Sequence, residues 1–294
     1  MKSGFVSLVG RPNVGKSTLL NSILERKIAI TSNVSGTTRN IIEGIYNDEK
    51  SQIIFIDTPG IHKPQNKLGN LMNKKAYTMA DDVDVVLFLV DVSKGYGKGD
   101  AFILERLKEL HKPVILVMNK VDSIKKDKLL ELINEYKNLY EFNEIVPLSA
   151  LKGDNVLELI KTIKKYLPDG VRYYSSDEVT NVSRNFMLAE MVREKVLRLT
   201  KDEVPHSVTC LVEEYNEEDD NVHLRVLIIV DRDNLKKIII GKNGQMLKEI
   251  GTKARIDMEE FLGKKVFLET YVKTIDNWKD REKYLTEFGL NELE

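Results

Sequence analysis

Little in this sequence supplies a covalent or metal-bound scaffold. Cys210 is the only cysteine among 294 residues, which excludes an intramolecular disulfide framework and a cysteine cluster for structural zinc, and leads us to expect a reducing, cytoplasmic setting. Neither sign of charge dominates. Lys and Arg total 45 against 46 for Asp and Glu, a net charge of −1, so nothing pulls the whole chain toward nucleic acid or anionic lipid, and any RNA site must be a local basic patch. Long apolar runs are missing as well. The opening MKSGFVSLVG enters a strand-like segment too short to serve as a signal peptide or to span a bilayer. No internal repeat or low-complexity tract is present.

What is present is enough apolar residue, 42% of the chain, to fill two ordinary cores. The first part alternates β-rich runs at Phe5–Val9, Ser51–Ile56, Val85–Asp91, Val114–Asn119 and Glu144–Leu148 with helix-patterned stretches, which predicts a mostly parallel sheet flanked by helices. Polar or Gly-rich loops follow several of these strands, and ligands bind at the carboxyl ends of strands in such folds. After a helical stretch at 157–166, the segment 168–183 carries Pro168, Gly170 and paired Tyr and Ser residues without a period, and reads as a linker. Beyond it the pattern gives a helix at Arg184–Leu199, strands at Val208–Tyr215 and Val222–Val230, two helices and a strand near Lys265–Val272. The expected organisation is an α/β P-loop domain over 1–167 and a smaller α+β domain over 184–294 that ends in a polar, helical tail.

The first chemical signal is Gly10-Arg11-Pro12-Asn13-Val14-Gly15-Lys16-Ser17, which follows a strand and opens a helix, with Thr18 next in line and also expected to bind the nucleotide. Its glycines let backbone N–H groups wrap phosphates, Lys16 reaches the outer phosphate oxygens, and the Ser17 hydroxyl suits Mg²⁺. Guanine is specified by Asn119-Lys120-Val121-Asp122. The Asp122 carboxylate accepts from both N1–H and the exocyclic amine, a donor pair that adenine does not offer. Lys120 covers the ring, Asn119 braces the phosphate loop, and Ser149-Ala150 closes the pocket with a backbone N–H. Between these lie Asp57-Thr58-Pro59-Gly60 and Gly36-Thr37-Thr38-Arg39. Asp57 is expected to hold a Mg²⁺ water, Gly60 to sense the γ-phosphate, and Thr38 to ligate Mg²⁺ in the GTP state alone, so that hydrolysis becomes a conformational signal. Lys16, Thr38 and Gly60 are the residues expected around the reacting phosphate.

The run Asp57-Thr58-Pro59-Gly60-Ile61-His62-Lys63-Pro64, followed by Lys67-Leu68-Gly69 and Met72, resembles the Era family of bacterial ribosome-assembly GTPases. The stretches Glu203–Ser207 and Leu262–Trp278 are similar to the same family, so the resemblance spans nearly the whole chain. It implies a Ras-like, mostly parallel GTPase domain followed by a type II KH domain, with GTP and GDP, Mg²⁺, and a potassium ion near Asn13 as cofactors. Ile61 stands where Ras-like enzymes carry a water-orienting glutamine, so slow turnover is expected without a partner. His62 is assigned no catalytic role. The switch loop here reads Ser35-Gly36-Thr37-Thr38-Arg39, whereas the family tends to have Pro-Gln before the threonine pair.

Gly241-Lys242-Asn243-Gly244 joins two helices in an α-β-β-α-α-β order, which resembles the type II KH fold. A GxxG loop clamps about four nucleotides because its glycines admit close backbone approach. Lys236, Lys237, Lys242, Lys248, Lys253 and Arg255 surround it against Glu249 alone, and Lys248 joins the loop residues as an expected RNA contact. Ile238, Ile239 and Ile240 are expected as core and groove wall, and Trp278 either stacks on a base or anchors the tail. By resemblance the partner is the 3′ end of 16S ribosomal RNA and the 30S subunit, with no DNA, a monomeric state, and a peripheral association with the inner membrane face. A GTP-controlled docking protein at a protein or membrane surface is the alternative. No membrane-spanning run, lipidation signal or strong amphipathic basic helix supports it. A tRNA-modification GTPase would add a larger chain and a catalytic cysteine or cofactor domain, neither of which appears.

Overall fold

The computed structural model describes residues 1–64 and 66–290. Packing divides the chain into two units. The first is Met1–Ala29, Thr38–Pro64 and Gly69–Asn181, and the second is Ile30–Thr37, residues 66–68 and residues 182–290.

The order in the first unit is β1 Lys2–Gly10, α1 Lys16–Leu24, β2 Ile42–Asn47, β3 Ser51–Asp57, α2 Lys67–Asp81 (from Gly69 on), β4 Val85–Asp91, α3 Lys98–Leu107, β5 Val114–Asn119, α4 Lys126–Lys137, β6 Glu144–Leu148 and α5 Val156–Tyr166. Six strands form one sheet in the order β2-β3-β1-β4-β5-β6. All neighbours are parallel except β2 and β3. Strands β3, β4 and β5 are buried along their whole length, because helices cover both faces of a parallel sheet. Strand β2 is an addition to the sequence reading. Its IEGIYN pattern is short and half-polar, as suits an edge, and a tight turn at Asp48–Ser51 pairs it with β3.

The segment expected as a linker over 168–183 is instead tied into the first unit as far as Asn181. The Gln52 side chain accepts from Tyr173 N (2.6 Å) and Tyr174 N (3.0 Å) and donates to Tyr174 O (2.9 Å). The Tyr174 hydroxyl donates to Glu43 (2.8 Å), and Ile45 N donates to Val179 O (2.8 Å). These bonds use side chains and one edge of β2, so they leave no period in the sequence for pattern reading to detect.

The second unit contains α6 Arg184–Leu199, a single turn α7 Val204–Ser207, β7 Val208–Glu217, β8 Asn221–Val230, α8 Asp233–Ile240, α9 Gln245–Leu262, β9 Lys265–Thr274 and α10 Glu282–Glu287. Its three-stranded sheet runs β7-β8-β9, antiparallel and then parallel. Val222, Leu224, Val226 and Ile228 alternate inward from β8 and pack with Leu188, Val192, Ile239, Ile250 and Met258 of the helices. The tail is less polar than expected. Trp278 is fully buried, donates Nε1–H to Ser207 O (3.1 Å) and meets Phe288 edge to face at 5.7 Å. It anchors the chain end and offers no surface to a base. Residues 291–294 of the expected tail lie outside the described residues.

Candidate functional sites: a phosphate loop and a GxxG groove

The loop after β1 is shaped by what its neighbours leave no room for. A Cβ on Gly15 would lie 2.2 Å from Asn119 Nδ2, and one on Gly10 would lie 2.6 Å from Leu89 O. Gly15 sits at φ 103° and Asn13 at φ 65°, both in the left-handed region. Gly15 is the N-cap of α1 and provides no side-chain cap, so the first N–H groups of the helix stay available to an anion. Lys16 opens α1 and is buried, with Nζ donating to Gly10 O (3.2 Å) and Arg11 O (3.3 Å). Burial pushes its ammonium down to about 8, against the opposing charge of Asp57. Thr18 follows in the first turn.

Three oxygen-bearing side chains from separate segments meet beside it. Ser17 Oγ donates to Asp57 Oδ2 (2.5 Å) and lies 2.9 Å from Thr38 Oγ1. Asp57 is fully buried, its carboxyl is pushed up to about 6 by that burial, and its Oδ1 has no hydrogen-bond partner. An orphaned buried carboxylate oxygen beside two hydroxyls fits Mg²⁺, which binds through one or two carboxylates, waters and substrate phosphates. Among the described residues no group of three His, Cys, Asp or Glu side chains is arranged to hold a metal.

The neighbouring threonine, Thr37, faces elsewhere. Its hydroxyl donates to Val34 O (2.7 Å) and lies 2.6 Å from Ser32 Oγ. Its carbonyl accepts from the buried Arg193 guanidinium, and both residues belong to the second unit. Gly60 abuts the phosphate loop, where a Cβ would lie 2.8 Å from the Pro12 backbone. Ile61 N donates to Gly10 O (3.3 Å), and the Ile61 side chain is buried among Val9, Ile56 and Ala76. His62 braces this turn, with Nδ1 2.9 Å from Gly60 O and its carbonyl accepting from Asn73 Nδ2 (2.7 Å).

On the far side of the loop Asn119 acts as a hub. Its Nδ2 donates to Val14 O (2.8 Å), while Oδ1 accepts from Ala150 N (2.9 Å) and Lys120 N (2.8 Å). Lys120 Nζ donates to Asn13 O (2.8 Å) and Asp91 Oδ2 (2.7 Å). Asp122 is exposed, and a hydrogen bond from the buried Ser149 holds its carboxyl below the usual range. Asp91 was missed in the sequence reading. Only the pairing of β4 with β5 sets it in register with Asn119.

In the second unit α8 ends on Gly241 at φ 72°, followed by Asn243 at φ 52° and Gly244 at φ 75°. A Cβ on Gly241 would lie 2.7 Å from Met246 Cβ, whereas one on Gly244 would meet nothing within 4 Å. From Gly244 an open groove of about 360 Å³ runs between α9 and β9, past Leu247, Lys248, Gly251, Thr252 and Arg255 to Leu268 and Thr270. Lys242, Asn243 and Lys248 are exposed at its head. Two of the six basic residues are paired along α9, Lys253 with Glu249 and Arg255 with Glu259, each at 2.9 Å. Ile239 is core, but Ile238 is half exposed and belongs to neither core nor groove lining. Gly251, Thr252 and Thr270 were not singled out beforehand, because only the pairing of β8 with β9 brings β9 beneath α9.

A Ras-like phosphate-loop sheet followed by an α-β-β-α-α-β unit with a GxxG turn defines a GTPase domain joined to a KH domain. Residues 5–120 match the family described as 50S ribosome-binding GTPase, and residues 203–279 match the KH domain. Aquifex aeolicus Era, as a tyrosine-to-alanine variant bound to GDP and aluminium fluoride, is 45% identical, with a TM-score of 0.96 over 99% of this chain and 100% of its own. Era in complex with MgGDPNP and nucleotides 1506–1542 of 16S ribosomal RNA matches with the same identity, score and coverage. The chain belongs to the Era family.

Proposed function

We propose that this chain is a Mg²⁺-dependent molecular switch that hydrolyses GTP to GDP and phosphate, and that its KH unit binds the 3′ end of 16S ribosomal RNA during 30S subunit assembly. The observation that carries the reading is the convergence of Ser17, Thr38 and Asp57 beside Lys16, on a chain whose second unit presents the GxxG groove. Family membership over the whole length supports it.

In this reading Gly10, Asn13, Gly15 and Lys16 cradle the phosphates through backbone N–H groups and one buried cation. Ser17 and Thr38 offer hydroxyls to Mg²⁺, and Asp57 holds one of its waters. Bound Mg²⁺ supplies charge neutralisation on the phosphate oxygens. Gly60 N–H reports the γ-phosphate, and Asn119, Lys120, Asp122, Ser149 and Ala150 hold guanine. The buried Ile61 side chain has no group to orient water, so unaided turnover is slow and acceleration falls to RNA, a partner or an ion. Asn13 is the residue we assign to potassium, and comparison of turnover in potassium and sodium salts tests this.

In the KH unit Gly241, Lys242, Asn243 and Gly244 clamp the RNA backbone, Lys248 adds charge, and the groove takes bases. No described helix is long and apolar enough to cross a membrane. A peripheral association with the inner face is part of the same proposal, tested by co-sedimentation with anionic vesicles. Crosslinking and sequencing of cellular RNA tests the central claim. Enrichment of the 16S 3′ end is expected, and recovery of mainly tRNA, or of nothing above background, overturns it.

A further inference from the structure

Arg11 and the glycine-rich stretch Gly95–Asp100 take no part in the roles assigned above. Arg11 is the second residue of the phosphate loop, and its side chain lies across that stretch. Its Nε is 2.9 Å from Asp100 Oδ1 and its Nη2 donates to Gly95 O (3.4 Å). Asp100 is fully buried in the first turn of α3, and its other carboxylate oxygen accepts from Gly97 N (3.0 Å). The glycines make room for the arginine. A Cβ on Gly99 would lie 2.5 Å from Arg11 Cδ, and one on Gly97 would lie 3.2 Å from Nη1. Meanwhile the Arg11 carbonyl is one of the two acceptors that hold Lys16 Nζ.

We propose that Arg11 and Asp100 are positioning residues for Lys16, the ion pair between Arg11 and the buried Asp100 fixing the loop backbone so that the Lys16 ammonium is aimed at the β-phosphate of a guanine nucleotide. The proposal rests on the nucleotide reading of the same site. A guanidinium held by a buried carboxylate at one end and by a carbonyl at the other has little freedom, and removing the Arg11 charge leaves Asp100 buried and uncompensated. Loosening at Arg11 therefore reaches Lys16 through one peptide unit. The guanine residues Asn119 and Lys120 meet the same loop farther along, at Val14 O and Asn13 O, and are also held from outside it by Ala150 N and Asp91.

The test uses the full chain and titrates GDP and GMP at fixed Mg²⁺ and salt with Arg11→Met, Arg11→Lys, Asp100→Asn and the Arg11→Met, Asp100→Asn pair. GMP has no β-phosphate for Lys16 to reach. Arg11→Met is expected to weaken GDP on the order of tenfold, equivalent to about 1.4 kcal/mol, while GMP stays within about twofold. Arg11→Lys should recover part of the loss, and the double variant should be no worse than the single ones. Equal losses for GDP and GMP, or no loss for either, overturn the positioning role and leave a structural staple between loop and helix. If Asp100→Asn does not fold, the two Arg11 variants still decide the question. Failure of the unaltered chain to bind GDP defeats the nucleotide reading itself.

Discussion

The hydroxyls of Ser17 and Thr38 lie 2.9 Å apart, although one sits in the first turn of α1 and the other in a loop. Ser17→Ala is expected to abolish Mg²⁺-dependent nucleotide binding. Thr38→Ala should leave GDP affinity within about twofold and weaken a non-hydrolysable GTP analogue on the order of tenfold, the outcome the proposed GTP-state role of its hydroxyl requires. Titration of both nucleotides with each variant checks this, and an unchanged GDP-to-analogue ratio in Thr38→Ala would count against Thr38.

Base selection by Asp122 is tested with Asp122→Asn. Xanthine places a carbonyl where guanine has its amine, so an amide that donates should bind XDP and lose GDP on the order of a hundredfold, as expected when a charge-assisted pair is replaced by an unmatched one. Competition between the two nucleotides reads the switch. Retained GDP preference would remove Asp122 from the base site.

Lys16 gives the site a pH signature. Its ammonium is held down to about 8 in the folded chain, below its ordinary 10.5, so the unfolded chain binds more protons between those values. Stability of the nucleotide-free protein therefore rises with pH across that window. Phosphate binding favours the charged form, so above about 8 the lysine takes up a proton when GDP binds, and affinity falls with rising pH by at most about tenfold per unit. Calorimetry near pH ~9 in two buffers of different ionisation enthalpy measures the uptake, a linkage that equal heats would disprove.

Gly244→Asp should weaken binding of single-stranded 16S 3′-end RNA on the order of tenfold or more, without changing GDP affinity. A side chain there meets no protein atom but is strained at φ 75°, and its charge opposes phosphate. Gly241→Asp adds a clash with Met246 and should also lower stability. Normal RNA binding by a folded Gly244→Asp protein would end the GxxG assignment.

Nucleotide and RNA should be coupled. The division between the two units falls between Thr37, whose carbonyl accepts from Arg193, and Thr38, beside Ser17, so one peptide bond joins residues that answer to different units. A non-hydrolysable GTP analogue should tighten RNA binding relative to GDP by ~1–3 kcal/mol, and RNA must tighten the analogue by the same factor. The measurement needs fixed salt, because phosphate contacts are salt-dependent. Equal RNA affinities in both nucleotide states would leave two activities that share only a chain.

Much of this architecture was legible beforehand because its signals are local. Strand runs such as Val85–Asp91 and Val114–Asn119 coincide with β4 and β5, and Arg184–Leu199 with α6, since buried parallel strands and long amphipathic helices write their environment into consecutive residues. The phosphate loop and GxxG were equally visible because backbone approach to phosphate demands glycine at fixed spacing, and Asn119-Lys120-Val121-Asp122 because its residues are consecutive at the end of an apolar strand. Tertiary structure decided what depends on distant partners. The 168–181 segment is held by Gln52 and Glu43 rather than by any pattern of its own. Trp278 became an anchor because Ser207 O and Phe288 receive it. Asp91 and Asp100 were ordinary carboxylates in the sequence, and only the folded loop brings Lys120 and Arg11 within ion-pair reach of them. Sequence sets which groups are available at which spacing, but a side chain's charge environment and burial come from residues tens of positions away, which only the closed fold brings together.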